Sequence, residues 1–246
     1  MSNADKTVEI ANYPVLETNP ERLSAQIYAR IAAGHQTLLF YANTNFIVQC
    51  DHLRQSLDNQ DVIIVNDGIG MDIAKWLLTG KRFSCNLNGT DFTPYLLSHA
   101  SKPMRVFLLG AKPEVVEKAA MHVIQNLNQL VTGYADGYAS MRDEQSLIAR
   151  IKAAAPDLLL VAMGNPKQEE WILQHAHQLD IPVISGVGAL FDFWSGTKAR
   201  APLWVQKVRM EWFYRLCLEP KRLIKRYSVD IVKFFYILRV NRKTRK

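Results

Sequence analysis

The chain is poor in the residues that staple or span. Its only cysteines, Cys50, Cys85 and Cys217, are far apart and outside any Cys-x-x-Cys or Cys/His ligand spacing. That argues against a disulfide framework and a zinc site and points to a reducing compartment. No apolar run is long enough for a spanning helix, and the opening MSNADKTVEIANYPVLETNPER holds no signal-peptide core, so a cytoplasmic location is expected. Internal repeats and low-complexity tracts are absent. The glycine run closest to a dinucleotide fingerprint, Gly186-Val187-Gly188-Ala189-Leu190-Phe191, ends in Phe where Gly or Ala is needed. It also comes late in the chain, which sets a nucleotide-dependent oxidoreductase aside.

What is present suffices for a full core. With 246 residues, 48% hydrophobic and 22% charged, one α/β domain with an appendage is expected. The charge divides unevenly. Residues 198–246 hold 15 Lys/Arg against 3 Asp/Glu, whereas residues 1–197 hold 15 against 20. A mildly acidic body thus carries a strongly basic tail, suited to phosphates of nucleic acid, anionic lipid or a diphosphate substrate. Alternation of strands and helices gives way to helix alone near Gly196, which sets the expected division: a body over 1–196 and a helical appendage over 197–246.

Within the body, apolar runs read as buried strands at Thr37–Ala42, Val62–Val65, Met104–Leu109, Leu130–Tyr134, Asp157–Ala162 and Pro182–Ser185, with helices between them. The first helix follows Asn19-Pro20, after a polar leader. Ligands of open α/β sheets sit at the C-terminal ends of the strands, so the residues leaving each strand carry the interest. Asp67, in Asn66-Asp67-Gly68-Ile69-Gly70, is a carboxylate delivered by a stiff strand into a glycine loop. It is a candidate general base, against the alternative of a simple Asp-Gly turn. Asn43, Thr44 and Asn45 follow the first strand and either contact a ligand or turn the chain.

Two further strand ends suit an anion. Gly110-Ala111-Lys112-Pro113 places a glycine, a lysine and a helix-starting proline together, where free N–H groups and a positive helix end attract phosphate. Gly164-Asn165-Pro166-Lys167-Gln168 satisfies a capping box by itself, with Asn165 as cap and Gln168 three residues on. Capping leaves Gly164 and Lys167 unexplained, and these suit a diphosphate. In Asn88-Gly89-Thr90-Asp91, Thr90 is the expected cap of the next helix. The tail predicts a helix from Ala201-Pro202 to about Leu218 and a second over Lys221–Arg239. In the second, Ile224, Tyr227, Ile231, Phe234, Phe235 and Leu238 recur at helical spacing beside many cations. Such a helix reads as lying on an anionic membrane surface, the alternative being a stripe docked on the body.

These motifs, in this order, resemble the WecG/TagA/CpsF glycosyltransferases, also called glycosyltransferase family 26. The likeness rests on Asp67-Gly68-Ile69-Gly70, Asn88-Gly89-Thr90-Asp91, Gly110 to Glu114, Gly164 to Glu169, Gly186-Val187-Gly188, Arg200-Ala201-Pro202, Glu211 to Leu216 and Glu219-Pro220-Lys221-Arg222. It implies a Rossmann-like, mostly parallel sheet with flanking helices. It also implies an inverting transfer of a hexose from a UDP-sugar to a polyprenyl-diphosphate-linked saccharide, by an enzyme peripheral on the inner face of the cell membrane. By the same resemblance Asp67 is the base, Gln168 lies with Asn43 to Asn45 in the donor-sugar pocket, and Arg215, Arg222 and Lys225 or Arg226 close over the diphosphate. No Asp-x-Asp, the usual metal-carrying signature of nucleotide-sugar transferases, occurs in the chain. Cations and helix N-termini are therefore expected to stabilise the leaving group, with no metal and no cofactor. Family members usually carry Thr-x-Asn where this chain has Tyr41-Ala42-Asn43, leaving the donor open between N-acetylmannosamine and glucose types. A homo-oligomer is left open. The rival from another class is a non-catalytic module whose basic tail binds membrane or nucleic acid; it accounts for the charge split but not for the polar strand ends, and nucleic acid is not the expected partner.

Overall fold

The computed structural model describes residues 6–202, 204–205 and 211–243, with the backbone alone at positions 215, 222, 224–227 and 241–243. Eight strands form one sheet: β1 (Lys6–Ile10), β2 (Tyr13–Glu17), β3 (Thr37–Ala42), β4 (Val62–Asn66), β5 (Arg105–Gly110), β6 (Leu130–Ala135), β7 (Leu158–Ala162) and β8 (Val183–Gly186). Their spatial order is β1-β2-β4-β3-β8-β7-β5-β6, and every pairing is parallel except that of β1 with β2. The expected α/β, Rossmann-like architecture is what the chain forms.

The helices are α1 (Pro20–Ala32), α2 (Thr44–Gln49), α3 (Arg54–Leu57), α4 (Ile69–Thr79), α5 (Gly89–Ser98), α6 (Pro113–Leu127), α7 (Glu144–Ala154), α8 (Lys167–Leu179), α9 (Leu190–Trp194), α10 (Glu211–Leu218) and α11 (Pro220–Lys243). They cover both faces of the sheet. Along β3, Leu38, Phe40 and Ala42 enter one apolar cluster while Leu39 and Tyr41 enter the other. This is the period-two alternation of a strand buried on both sides.

The polar leader holds two strands that its composition does not mark. Residues 6–17 form a hairpin whose second strand joins the sheet in parallel beside β4, pairing Val15 with Ile64 and Leu16 with Val65. Its turn residues Ala11 and Asn12 have φ of 53° and 63°, the left-handed pair of a tight hairpin turn that glycine and asparagine normally signal. Tyr13 and Val15 are fully buried, and the Tyr13 hydroxyl donates to Cys50 O at 2.8 Å.

In the tail, the helix expected over Ala201–Leu218 falls partly on residues 203 and 206–210, outside the described residues; α10 is its described end. Helix α11 corrects the simple surface reading of its stripe. Phe234 is fully buried and Leu238 nearly so, in the apolar cluster that also holds Phe46 and Ile47 of α2. Those two residues dock on the body, as the alternative had it. Two ion-pair groups anchor the same region: Arg200 bridges Asp91 at 2.6 Å and Glu211 at 3.7 Å, and Lys198 bridges Asp192 at 2.7 Å and Glu219 at 3.5 Å.

Candidate active site

The C-terminal ends of β3, β4, β5, β7 and β8 open into one cleft of about 1030 Å³, lined also by Glu211 and Trp212 of α10 and Ile231 and Phe235 of α11. Asp67 stands at its wall. Its N–H donates to Ala42 O at 2.7 Å, so the acid leaves β4 held to the neighbouring strand, and Asn43 Nδ2 donates to its Oδ2 at 3.2 Å. Gly68 follows with φ +88° and donates its N–H to Asn86 Oδ1 at 2.6 Å. The segment bearing Asn86 is itself fixed to the strand end, because Asn66 Nδ2 donates to Cys85 O at 2.8 Å and Leu87 N donates to Asn66 O at 3.0 Å. Gly70 allows a close approach: a Cβ there would lie 2.3 Å from Thr44 Cγ2. Helices α2 and α4 therefore start side by side beneath the acid.

Opposite Asp67 lies a chain of side-chain amides. Gln168, 3% exposed, accepts at Oε1 from Gly164 N at 3.2 Å and Gly188 N at 3.1 Å, joining the loops after β7 and β8. Its Nε2 donates to Glu169 Oε1 at 2.8 Å. Asn165 Nδ2 donates to the same oxygen at 2.6 Å, and its Oδ1 accepts from Asn45 Nδ2 at 3.3 Å. Both amides thus point their nitrogens at Glu169, whose carboxyl sets their orientation. Burial pushes Glu169 up to about 7, against the opposing pull of hydrogen bonds, those from Gln168 and Asn165 among them. The capping box expected here does not form: the cap position is Pro166, with no side-chain capping bond, and the Asn165 side chain is drawn to Glu169 instead.

Of the residues singled out from sequence, Asp67, Asn43, Thr44, Asn45, Lys112, Gly164, Asn165 and Gln168 line the cleft. Gly110 and Lys167 are not among its lining residues. Gly110 has φ +127°, and a Cβ there would lie 2.4 Å from Ala162 O, so this glycine serves contact with β7. Lys167 is exposed at the start of α8. The side chains of Arg215, Arg222, Lys225 and Arg226 lie outside those described. Asn43 also caps α2, accepting from Phe46 N at 3.0 Å, and Asn88, not Thr90, caps α5. Sequence reasoning missed Asn86, Asp192 and Lys198, all on the cleft wall. Lys198 reaches Asp192 through the turn that ends α9, its own N–H donating to Asp192 O at 3.0 Å, and no motif marks the pair. Tyr41, also on the wall, has its hydroxyl pushed up to about 12, mainly by burial and further by the charge of Asp67. A Cβ on Gly89 would lie 2.9 Å from its ring.

The arrangement offers a held carboxylate, fixed amides for hydroxyl groups, and the exposed cation Lys112 for a departing anion. The chain matches the Glycosyl transferase WecG/TagA/CpsF family over residues 8–246. It belongs to that family. It is 36% identical over 192 residues to the N-acetylglucosaminyldiphosphoundecaprenol N-acetyl-beta-D-mannosaminyltransferase of Staphylococcus aureus (strain NCTC 8325 / PS 47), covering 77% of this chain and 74% of the relative. The Bacillus subtilis (strain 168) protein of the same name is 36% identical over 177 residues, 69% of this chain and 68% of that one. The WecG/TagA/CpsF chain is thus a glycosyltransferase, which removes the non-catalytic alternative. Among its described residues no helix is long and apolar enough to cross a membrane, and no group of three or more His, Cys, Asp or Glu is placed to hold a metal ion.

Proposed function

We propose that the chain transfers an N-acetylmannosamine-type hexose from UDP, with inversion, to a hydroxyl of a polyprenyl-diphosphate-linked N-acetylglucosamine. The observation that carries this reading is Asp67, aligned by Asn43 at a strand end inside the cleft of a chain similar to two transferases of that name. Asp67 takes the proton of the acceptor hydroxyl, whose oxygen attacks the anomeric carbon from the face opposite UDP. The bond to the diphosphate oxygen breaks, and UDP departs with the electron pair. Lys112 is proposed to meet the growing negative charge, and Arg215, Arg222, Lys225 and Arg226 to join it from the tail. Glucose is the second reading for the donor, favoured by Tyr41, whose ring lines the cleft where family members usually carry a smaller residue.

The enzyme is proposed to sit peripherally on an anionic membrane, on the cytoplasmic side. Val229, Val232, Tyr236 and Val240 form an exposed stripe on α11, with exposed Lys233 and Arg239 beside it. This stripe lies opposite the docked one, so a single helix serves both body and lipid.

The test is UDP release from a panel of UDP-sugars with and without undecaprenyl-diphosphate N-acetylglucosamine. Expected are release that requires the acceptor and withstands EDTA, and a kcat lower by at least about a hundredfold in Asp67→Asn. Full activity of Asp67→Asn would remove the base assignment, and acceptor-independent release would remove the transfer itself.

A further inference from the structure

Helix α4 carries an apolar stripe that begins inside the cleft and continues onto open surface. Ile69, Gly70 and Ile73 line the cleft, and Trp76 and Leu77, 55% and 45% exposed, lie beyond it on the same side of the helix. The spacing i, i+4, i+7 and i+8 keeps Ile69, Ile73, Trp76 and Leu77 on one face. From Ile69 to Leu77 the stripe runs about 12 Å.

The charged residues of α4 turn away from it. Asp72, 2% exposed, accepts from Phe83 N at 3.2 Å, and Lys75, 5% exposed, pairs with Glu17 beneath the helix. What faces outward is therefore apolar, and the chain beyond the helix continues into the exposed Lys81-Arg82. The foot of the same helix is the loop that carries Asp67. An acceptor whose hydroxyl reaches Asp67 must lead the rest of its length out of the cleft, and the residues that α4 itself contributes to the wall, Ile69, Gly70 and Ile73, are all apolar.

We propose that the α4 stripe seats the polyprenyl chain of the acceptor where it leaves the cleft, with Trp76 and Leu77 as the outer contacts. This rests on the lipid-linked acceptor of the proposed function. Burial against isoprene units supplies binding without fixed geometry, which suits a long flexible hydrocarbon. Specificity for the sugar stays with the polar groups of the cleft floor.

The experiment compares wild type with the double variant Trp76→Ser/Leu77→Ser on two acceptors in detergent, N-acetylglucosamine diphosphate carried on undecaprenyl and on geranyl. Binding of undecaprenyl diphosphate alone is measured in parallel. Expected are a KM for the undecaprenyl acceptor raised about tenfold or more, as loss of a few buried methylene equivalents implies, a matching loss of undecaprenyl diphosphate binding, and unchanged kinetics on the geranyl acceptor. Equal effects on both acceptors, or none on either, overturn the proposal. So does a variant with unchanged KM that no longer floats with anionic liposomes, which would make the stripe a bilayer contact, or one whose sedimentation reveals a lost dimer. If wild type uses neither acceptor, the proposed function fails, and the binding arm still decides whether α4 seats the lipid.

Discussion

Asn43 fixes Asp67 from below: its Nδ2 donates to Asp67 Oδ2 at 3.2 Å while its Oδ1 accepts from Phe46 N at 3.0 Å. One amide thus caps α2 and aligns the proposed base. The two roles separate by substitution. Serine is as good a cap as asparagine but has no amide to reach Asp67. Asn43→Ser is expected to keep the Tm of wild type and to lose about tenfold to a hundredfold in kcat, the value of a hydrogen bond to a charged group. A kcat equal to wild type in Asn43→Ser would leave the residue a cap alone.

The fold was legible where local chemistry and tertiary placement agree. Val62 to Val65 and Leu158 to Ala162 are branched or leucine-rich runs too short for helices, and both form buried strands. Asp67 stood out because such a run ends beside it. The hairpin was hidden by Ala11, which adopts a left-handed turn conformation that its side chain does not advertise. Helix α2 was hidden by its length, since six residues give too little periodicity to see. At Asn165 the spacing was right for a capping box, yet a buried carboxylate next to Gln168 offered the amide a stronger partner than the backbone did. That competition depends on burial, which no local pattern contains.

Glu169 makes stability depend on pH in an unusual direction. Its carboxyl is raised by burial from 4.5 to about 7, so the folded chain holds this proton to higher pH than the unfolded chain does. The contribution is therefore fully favourable below about pH 4.5 and declines as pH rises to about 7, by at most roughly 3 kcal/mol. Glu169→Gln cannot ionise. Thermal unfolding from pH 5 to 8 is expected to show a decline in Tm for wild type that is smaller in the variant. Parallel curves for the two proteins would exclude Glu169 as the source.

Two glycines at strand ends separate packing from backbone freedom. Gly110 combines φ +127° with a Cβ position 2.4 Å from Ala162 O, whereas Gly164, at φ +78°, has open space around its Cβ position. Gly164→Ala is expected to cost about 1–2 kcal/mol from the left-handed backbone alone. Gly110→Ala forces β5 and β7 apart and is expected to cost about 3 kcal/mol or more. Urea unfolding measures both, and equal costs would contradict the close approach.

The docking of α11 is tested through Phe234. Its ring is fully buried in the cluster shared with Phe46 and Ile47 of α2, while the adjacent Phe235 and the nearby Ile231 line the cleft. Removing the ring leaves a cavity at the contact between tail and body, costing about 3–5 kcal/mol where the site cannot collapse. The tail's other anchors, the Arg200 and Lys198 ion pairs, are partly exposed and contribute little each. Phe234→Ala is therefore expected to release α11 while leaving the sheet folded. Limited trypsin digestion should then cut α11 well before the body, and the KM for the UDP-sugar should rise as Ile231 and Phe235 leave the cleft wall. A variant as resistant as wild type, with an unchanged KM, would mean that the helix holds its place without this ring.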